Sequence, residues 1–331
     1  MSGLPRLLVA AACAALIATV LLSASAGAGE IPPLRLAVME FSVVSGESGP
    51  ARGQLLSELL MTELLGAGGY QLAERLQLDQ ATQELNLQGS AQIDPATAVA
   101  IGRRVGAQVV VIGTLSEGAE SFVLGRFVDV ERGTVLLAKT IEIKDGSLRG
   151  AARDLAAAFK QSDDAAGAEM LATARRRAYL GQTQAALELF EEILAKHPRS
   201  GAADDALLAL AQSSVAAGEY YDAADRAETL LETFVDSPLT EDALKVLGDA
   251  KYFTVFGDPN RPADPSVFLD MWIHKQSGQE SGTALERMRL KARIAQDAKA
   301  KYELLLELYP DTKHRQVVEE RLAKIASHGG E

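Results

Sequence analysis

Four histidines stand at positions 197, 274, 314 and 328, and no two of them share the short spacing that brings two imidazoles to one metal ion. A zinc site or a histidine-dependent triad needs partners that the sequence does not cluster. The histidines are expected as exposed residues at helix ends, where they favour the helix dipole. Gly46, Gly49 and Gly53 follow a β-like run and precede a helix, which is where phosphate-cradling loops occur. They lack the Lys-Ser/Thr of a Walker loop and the G-x-G-x-x-G spacing of a dinucleotide site. A flexible turn is expected, and a nucleotide- or glycan-binding module with Ser45–Gly53 as its site is the alternative function. Gly66–Gly69 comes after a helix and before a strand, the wrong polarity for holding phosphate. Glu74-Arg75 fits a solvated cap at a strand-to-helix junction, or a partner contact. Arg175-Arg176-Arg177 fits a solvated helix face, or a contact for an acidic partner. No catalytic residue, metal or cofactor is assigned, and the chain is expected not to be an enzyme.

These residues sit in a chain of 331, of which 47% are hydrophobic and 24% charged. That is globular composition, enough for two domains with their own cores. Lys plus Arg number 33 against 45 Asp plus Glu, a net charge of −12, which argues against nucleic-acid phosphates or anionic lipid as partners. Arg6, the apolar run Leu7–Leu22 and the small residues Ser23-Ala24-Ser25-Ala26 form a signal peptide over residues 1–26, cut after Ala26. The only cysteine, Cys13, would be the first mature residue of a lipoprotein. Its apolar lead is shorter than the usual core of about 7–15 residues, and lipidation would leave Ala14–Leu22 on the mature chain. The expectation is therefore against lipid attachment. Export to the periplasm is expected, with peripheral association with the outer membrane left open, and the mature chain then carries no thiol to oxidise.

Residues 31–160 read as an α/β domain with a mixed sheet. Leu34–Phe41 is a β-like run, and Gln54–Leu65 carries leucines at helical spacing. Tyr70–Glu74 reads as a strand, Leu76–Leu85 as a helix, and Asp94-Pro95 as the cap and first-turn proline of a helix over Ala96–Val105. Gln108–Thr114 is a strong strand signal. Ser121–Val130 and Thr134–Ile143 form a hairpin across Glu131-Arg132-Gly133, and Leu148–Phe159 closes the domain as a helix.

Leu36-Ala37-Val38, Leu72-Ala73-Glu74-Arg75 with Leu78 and Glu84, Ile101–Ala107 running into Val109–Gly113, and Phe127–Val135 carry a resemblance. Over about 110 residues the chain resembles CsgG-like proteins, the curli-secretion group. That resemblance implies an envelope-associated adaptor domain and no catalysis. Channel-forming members carry long transmembrane hairpins; here the short Ser121–Ile143 hairpin is needed to complete the sheet, so no pore is expected.

Gln161–Asp164 reads as a polar linker. Residues 165–327 read as an all-α solenoid of helical hairpins. Ala186, Phe190 and Pro198 recur as Ala298, Tyr302 and Pro310, and Gly181 followed by Ala186 recurs as Gly218 followed by Ala223. This spacing resembles tetratricopeptide repeats, with a small residue where two helices touch, an aromatic beside it and a terminating proline. The repeats run over Ala168–Arg199, Ala203–Pro238 and from Glu241, the last interrupted by an insertion at about 255–296 before its second helix at Ala298–Tyr309. Residues 311–326 are expected to form the solvating end helix.

Long second helices ending at Tyr-Pro or Ser-Pro resemble envelope tetratricopeptide proteins, including the BamD-type outer-membrane assembly lipoproteins. The resemblance implies a partner-binding groove on the first helix of each hairpin. Its positions here are Leu171, Arg175 and Tyr179, then Leu208 and Gln212, then Lys245, Asp249 and Tyr252, with plain core packing as the other reading of the apolar ones. A periplasmic adaptor or scaffold is expected, its CsgG-like domain docked on an envelope component and its groove holding a protein partner.

Overall fold

The computed structural model describes residues 32–45, 49–85, 93–118, 120–261, 264–278 and 282–328. The signal segment, Cys13, Gly46 and the middle of the Ser45–Gly53 loop lie outside the described residues. The chain divides into two compact units: Pro32–Glu169 with Ala195–Gly201, and Met170–Leu194 with everything from Ala202 onward.

The first unit is an α/β layer structure. Strand β1 (Leu34–Val38) pairs in parallel with β3 (Tyr70–Leu72) on one side and with the first half of β4 (Val109–Ser116) on the other. Strand β2 (Ser42–Ser45), inside what the sequence suggested was the approach to a loop, pairs with the second half of β4. β5 (Phe122–Asp129) and β6 (Val135–Glu142) follow as antiparallel neighbours, so the expected hairpin does complete this sheet.

Helices α1 (Gly49–Gly66) and α4 (Leu148–Tyr179) supply one core: Leu56, Leu60 and Leu64 of α1 and Leu155 and Phe159 of α4 pack with Leu36, Val111 and Phe127. Phe159 stacks on Phe127 with ring centroids 4.1 Å apart. Helices α2 (Arg75–Glu84) and α3 (Pro95–Val105) supply the other, with Ile101 and Leu78 against Val110, Ile112 and Val128. Asp94 caps α3 by accepting from the backbone N–H of Thr97 at 2.7 Å, as an N-cap aspartate before a first-turn proline should.

Gln161–Asp164 is helical, inside α4, and is no linker. Its polar residues find partners in the same unit: Asp163 accepts from the His197 ring at 2.6 Å, and Asp164 accepts from the backbone N–H of Gly201. A helix with its polar side chains engaged by tertiary neighbours has no reason to break where composition alone would break it.

Among the described residues the second unit is built of helices: the end of α4 with α5 (Thr183–Lys196), α6 (Ala203–Ala217) with α7 (Tyr220–Thr233), then α8 (Thr240–Phe256), α9 (Pro265–Ser277), α10 (Ala284–Leu308) and α11 (Arg315–His328). Gly218 ends α6 in the left-handed conformation, φ 83°, and so makes the turn to α7. The second helix of the third hairpin starts at Ala284 rather than Ala298, because Thr283 and Glu286 form a reciprocal capping box there. The insertion contributes to the core. Phe268, Leu269 and Trp272 of α9 are buried in the unit's largest core, and the indole N–H of Trp272 donates to the Thr254 hydroxyl at 3.1 Å.

Candidate functional site

Small residues recur 37 positions apart at Ala174, Ala211 and Gly248, and all three are buried at helix–helix contacts. Gly248 is the tightest: a Cβ there would lie 2.5 Å from the ring of Tyr302. The next residue in each repeat is a groove position, which aligns Arg175, Gln212 and Asp249. Four residues before it stand Leu171, Leu208 and Lys245.

Identical register does not give identical surroundings. Leu171 and Leu208 are buried in the helical core, so for them the packing role holds. Arg175 is half exposed and pairs with Asp205 of α6, while Gln212 is exposed and Tyr179 is 72% exposed. These three present polar and aromatic groups to solvent along the first helices of the first two hairpins.

In the third hairpin the predicted residues do come together, but against α11 of the same unit. Asp249 is buried; its carboxylate accepts from the Tyr302 hydroxyl at 2.9 Å and forms ion pairs with Lys245 and Arg321. Arg321 also donates to the Tyr302 oxygen at 2.8 Å, and its guanidinium carbon lies 4.7 Å from the ring centre of Phe253 and 5.1 Å from that of Tyr252. Burial lowers Arg321 to about 10, and burial together with the Arg321 charge lowers Lys245 to about 8. Burial also raises the Tyr302 phenol well above its ordinary range. At the start of α8 a hydrogen bond from His314, joined by Lys313, holds Asp242 down to about 2. Lys245, Asp249 and Tyr252 thus form part of a charged seam, and they are not an open groove surface.

Tyr302, Arg321 and Asp242 were missed as members of this cluster. A signal for Arg321 was present: it lies between Val318 and Ile325 on one stripe of α11, where an inward-facing arginine requires an acid opposite.

His274 and His328 are exposed in the last turns of α9 and α11, as expected, while the other two histidines are not. His197 meets Asp163 and His314 meets Asp242 at 3.0 Å, both partly buried, and His328 packs edge-on against Phe256. His274 lines a shallow hollow of about 370 Å³ with Val267, Asp270, Met271 and Lys275. Glu74 is the exposed N-cap residue of α2, and Arg75 beside it forms solvent-exposed pairs with Glu40 and Asp79. Gly53 has a packing reason: a Cβ would lie 1.9 Å from the Phe41 carbonyl oxygen. There the buried Ser57 hydroxyl accepts from the Phe41 N–H at 3.1 Å and fills the break between β1 and β2.

With this geometry in place, the comparisons with known proteins fall into two parts along the chain. The family model for outer membrane lipoproteins, YfiO, matches residues 163–328, half of the chain. The chain belongs to the YfiO family. Residues 29–118 match the model for CsgG, the curli production assembly and transport component. The YfiO match lends no support to the expectation against lipid attachment, and Cys13 itself lies outside the described residues.

No curated protein matches the chain. Among solved structures, the LpoB C-terminal domain from Escherichia coli is similar at 21% identity and TM-score 0.29, covering 41% of this chain and 98% of that one. Lipoprotein GNA1162 from Neisseria meningitidis is similar at 20% identity and TM-score 0.29, covering 35% and 83%. TolB from Acinetobacter baumannii is similar at 18% identity and TM-score 0.28, covering 39% and 28%. At these scores the likenesses bear on neither site nor function.

Proposed function

We propose that this YfiO-family chain is a non-enzymatic adaptor of the bacterial envelope, in which the helical hairpins hold a segment of a partner protein and the CsgG-like unit docks to an envelope component. The observation that carries this is the row of first helices in the helical unit. Arg175, Tyr179 and Gln212 project to solvent at repeat-equivalent or adjacent positions, while the small and aromatic residues of the same repeats are spent on packing. A polar, aromatic-bearing face on a rigid repeat scaffold suits peptide recognition. Arg175 and its neighbours Arg176 and Arg177 favour a segment carrying acidic residues, in a chain that is otherwise net negative.

Residence in the periplasm, soluble or held at the outer membrane, is part of the same proposal. Mass spectrometry of the mature N-terminus separates cleavage after Ala26 from a lipid-modified Cys13. The alternative, a nucleotide or glycan site in the CsgG-like unit, is tested by calorimetry with nucleotides and oligosaccharides. Micromolar or tighter heats there, with no protein captured by the helical face, would overturn the adaptor proposal.

A further inference from the structure

Helix α11 is fastened in an unusual way. Only Val318 and Ile325 of its fourteen residues are buried, against twelve of seventeen in α8, the helix it covers. Leu322 packs half-buried against the same core and His328 lies against Phe256, and the rest of its grip is electrostatic. From α8 come the acids Glu241, Asp242 and Asp249 and the rings of Tyr252, Phe253 and Phe256. From α11 and the turn before it come Thr312, which donates to Glu241 at 2.6 Å, Lys313 and His314 on Asp242, and Arg321 on Asp249. Lys324 sits 5.7 Å from the ring centres of both Tyr252 and Phe256. The cations Arg321 and Lys324 thus lie one turn apart on an acidic, aromatic strip, a pairing whose strength comes from charge and ring quadrupole more than from apolar area.

We propose that α11 is a detachable cap, latched by charge, and that the strip it covers on α8 and α10 is a docking site for a basic amphipathic helix of a partner protein. This rests on the reading of the helical unit as a holder of protein segments. The partner's chemistry follows from what the strip already holds. It carries an arginine with aliphatic residues three before and four after it, as Val318, Arg321 and Ile325 do, and a second cation three residues on. An acidic helix would set like charge against Glu241, Asp242 and Asp249, and a purely apolar one would leave Asp249 with Lys245 alone and the rings of Tyr252 and Phe256 without a cation. Opening as a unit is the expected behaviour of an element with little buried apolar surface.

Two measurements on the full chain test it. Hydrogen exchange should show the amides of residues 315–328 opening roughly tenfold or more faster than those of α8 and α10. That difference should widen between about 0.05 and 0.5 M salt, because the exposed Lys313–Asp242 pair is screened. A fluorescent peptide with the sequence of residues 312–328 should bind the Arg321→Ala chain at least about tenfold more tightly than the unaltered chain, whose own helix competes. The same peptide with glutamate at positions 321 and 324 should bind neither. Exchange of α11 as slow as that of α10 and independent of salt would overturn the proposal, as would equal binding of the two peptides. If Arg321→Ala does not fold, exchange in the unaltered chain decides alone. Crosslinking at Arg175 and Gln212 reports on the open face separately, so failure of the cap and failure of the adaptor reading are distinguishable.

Discussion

The first and third hairpins carry the same pattern and put it to different uses. Arg175 and Asp249 hold the same repeat position, each directly after a small residue at a helix contact. Arg175 is half exposed and needs its partner Asp205 little, whereas Asp249 is buried beneath α11 with two cations and a phenol leaning on it. What differs is the neighbour that follows. The lesson is that a repeat register predicts which way a side chain points, and only the next element in the stack decides whether it meets solvent or another charge.

The largest test of that contrast is to remove both acidic and basic members of the aligned pair. Asp249→Ala leaves Lys245 and Arg321 without their shared acceptor and should cost about 3–5 kcal/mol, the usual penalty for stranding buried charge. Arg175→Ala should stay within about 0.5 kcal/mol in the same denaturation experiment. Equal losses at the two sites would remove the distinction between sealed and open hairpins.

Overpacking comes next. Gly248→Val drives a side chain into the fully buried Tyr302 ring, and Ala186→Leu does the same near Phe190. Each should cost about 1–3 kcal/mol, read from urea midpoints. An unchanged midpoint for Ala186→Leu with a large loss for Gly248→Val would mean that the first hairpin packs more loosely than its register implies.

A smaller effect is expected from pH. Asp242 has its folded pKa held at about 2, below the ordinary 3.8, chiefly by the hydrogen bond from His314. A depressed carboxylate contributes stability that is fully present above its unfolded pKa and is lost as pH falls through the folded one. Between about pH 4 and 2 the unaltered chain should therefore lose on the order of 1–2 kcal/mol that the Asp242→Asn chain does not, a figure kept low because the side chain is 30% exposed. Parallel acid-denaturation curves for the two chains would contradict the latch at this end of α11.

These outcomes bear on what could be read from the amino-acid order. The β4 run, the leucine stripe of α1 and the capped start of α3 are decided by local periodicity and cap chemistry, and they appear as expected. So do Ala186, Phe190, Ala298 and Tyr302, because small-plus-aromatic spacing is imposed by two helices touching. Long-range facts were not legible. β2 is four residues with no apolar run of its own and exists through pairing with β4. Gln161–Asp164 looks like a linker until His197 and Gly201 supply partners from elsewhere in the chain. The burial of Asp249 depended on an arginine 72 residues downstream, which no window on the third hairpin contains.

The claim that the first helices of the open hairpins hold a partner segment is tested most directly by photo-crosslinking in the periplasm. A photoreactive residue is placed singly at Arg175, Tyr179 and Gln212, and at the exposed second-helix residues Glu188 and Glu232 as controls. One protein crosslinked from the three first-helix positions, absent from both controls and lost with Arg175→Glu on a chain probed at Gln212, is the predicted result. Crosslinks that are as strong from Glu188 and Glu232, or that survive Arg175→Glu undiminished, would contradict it.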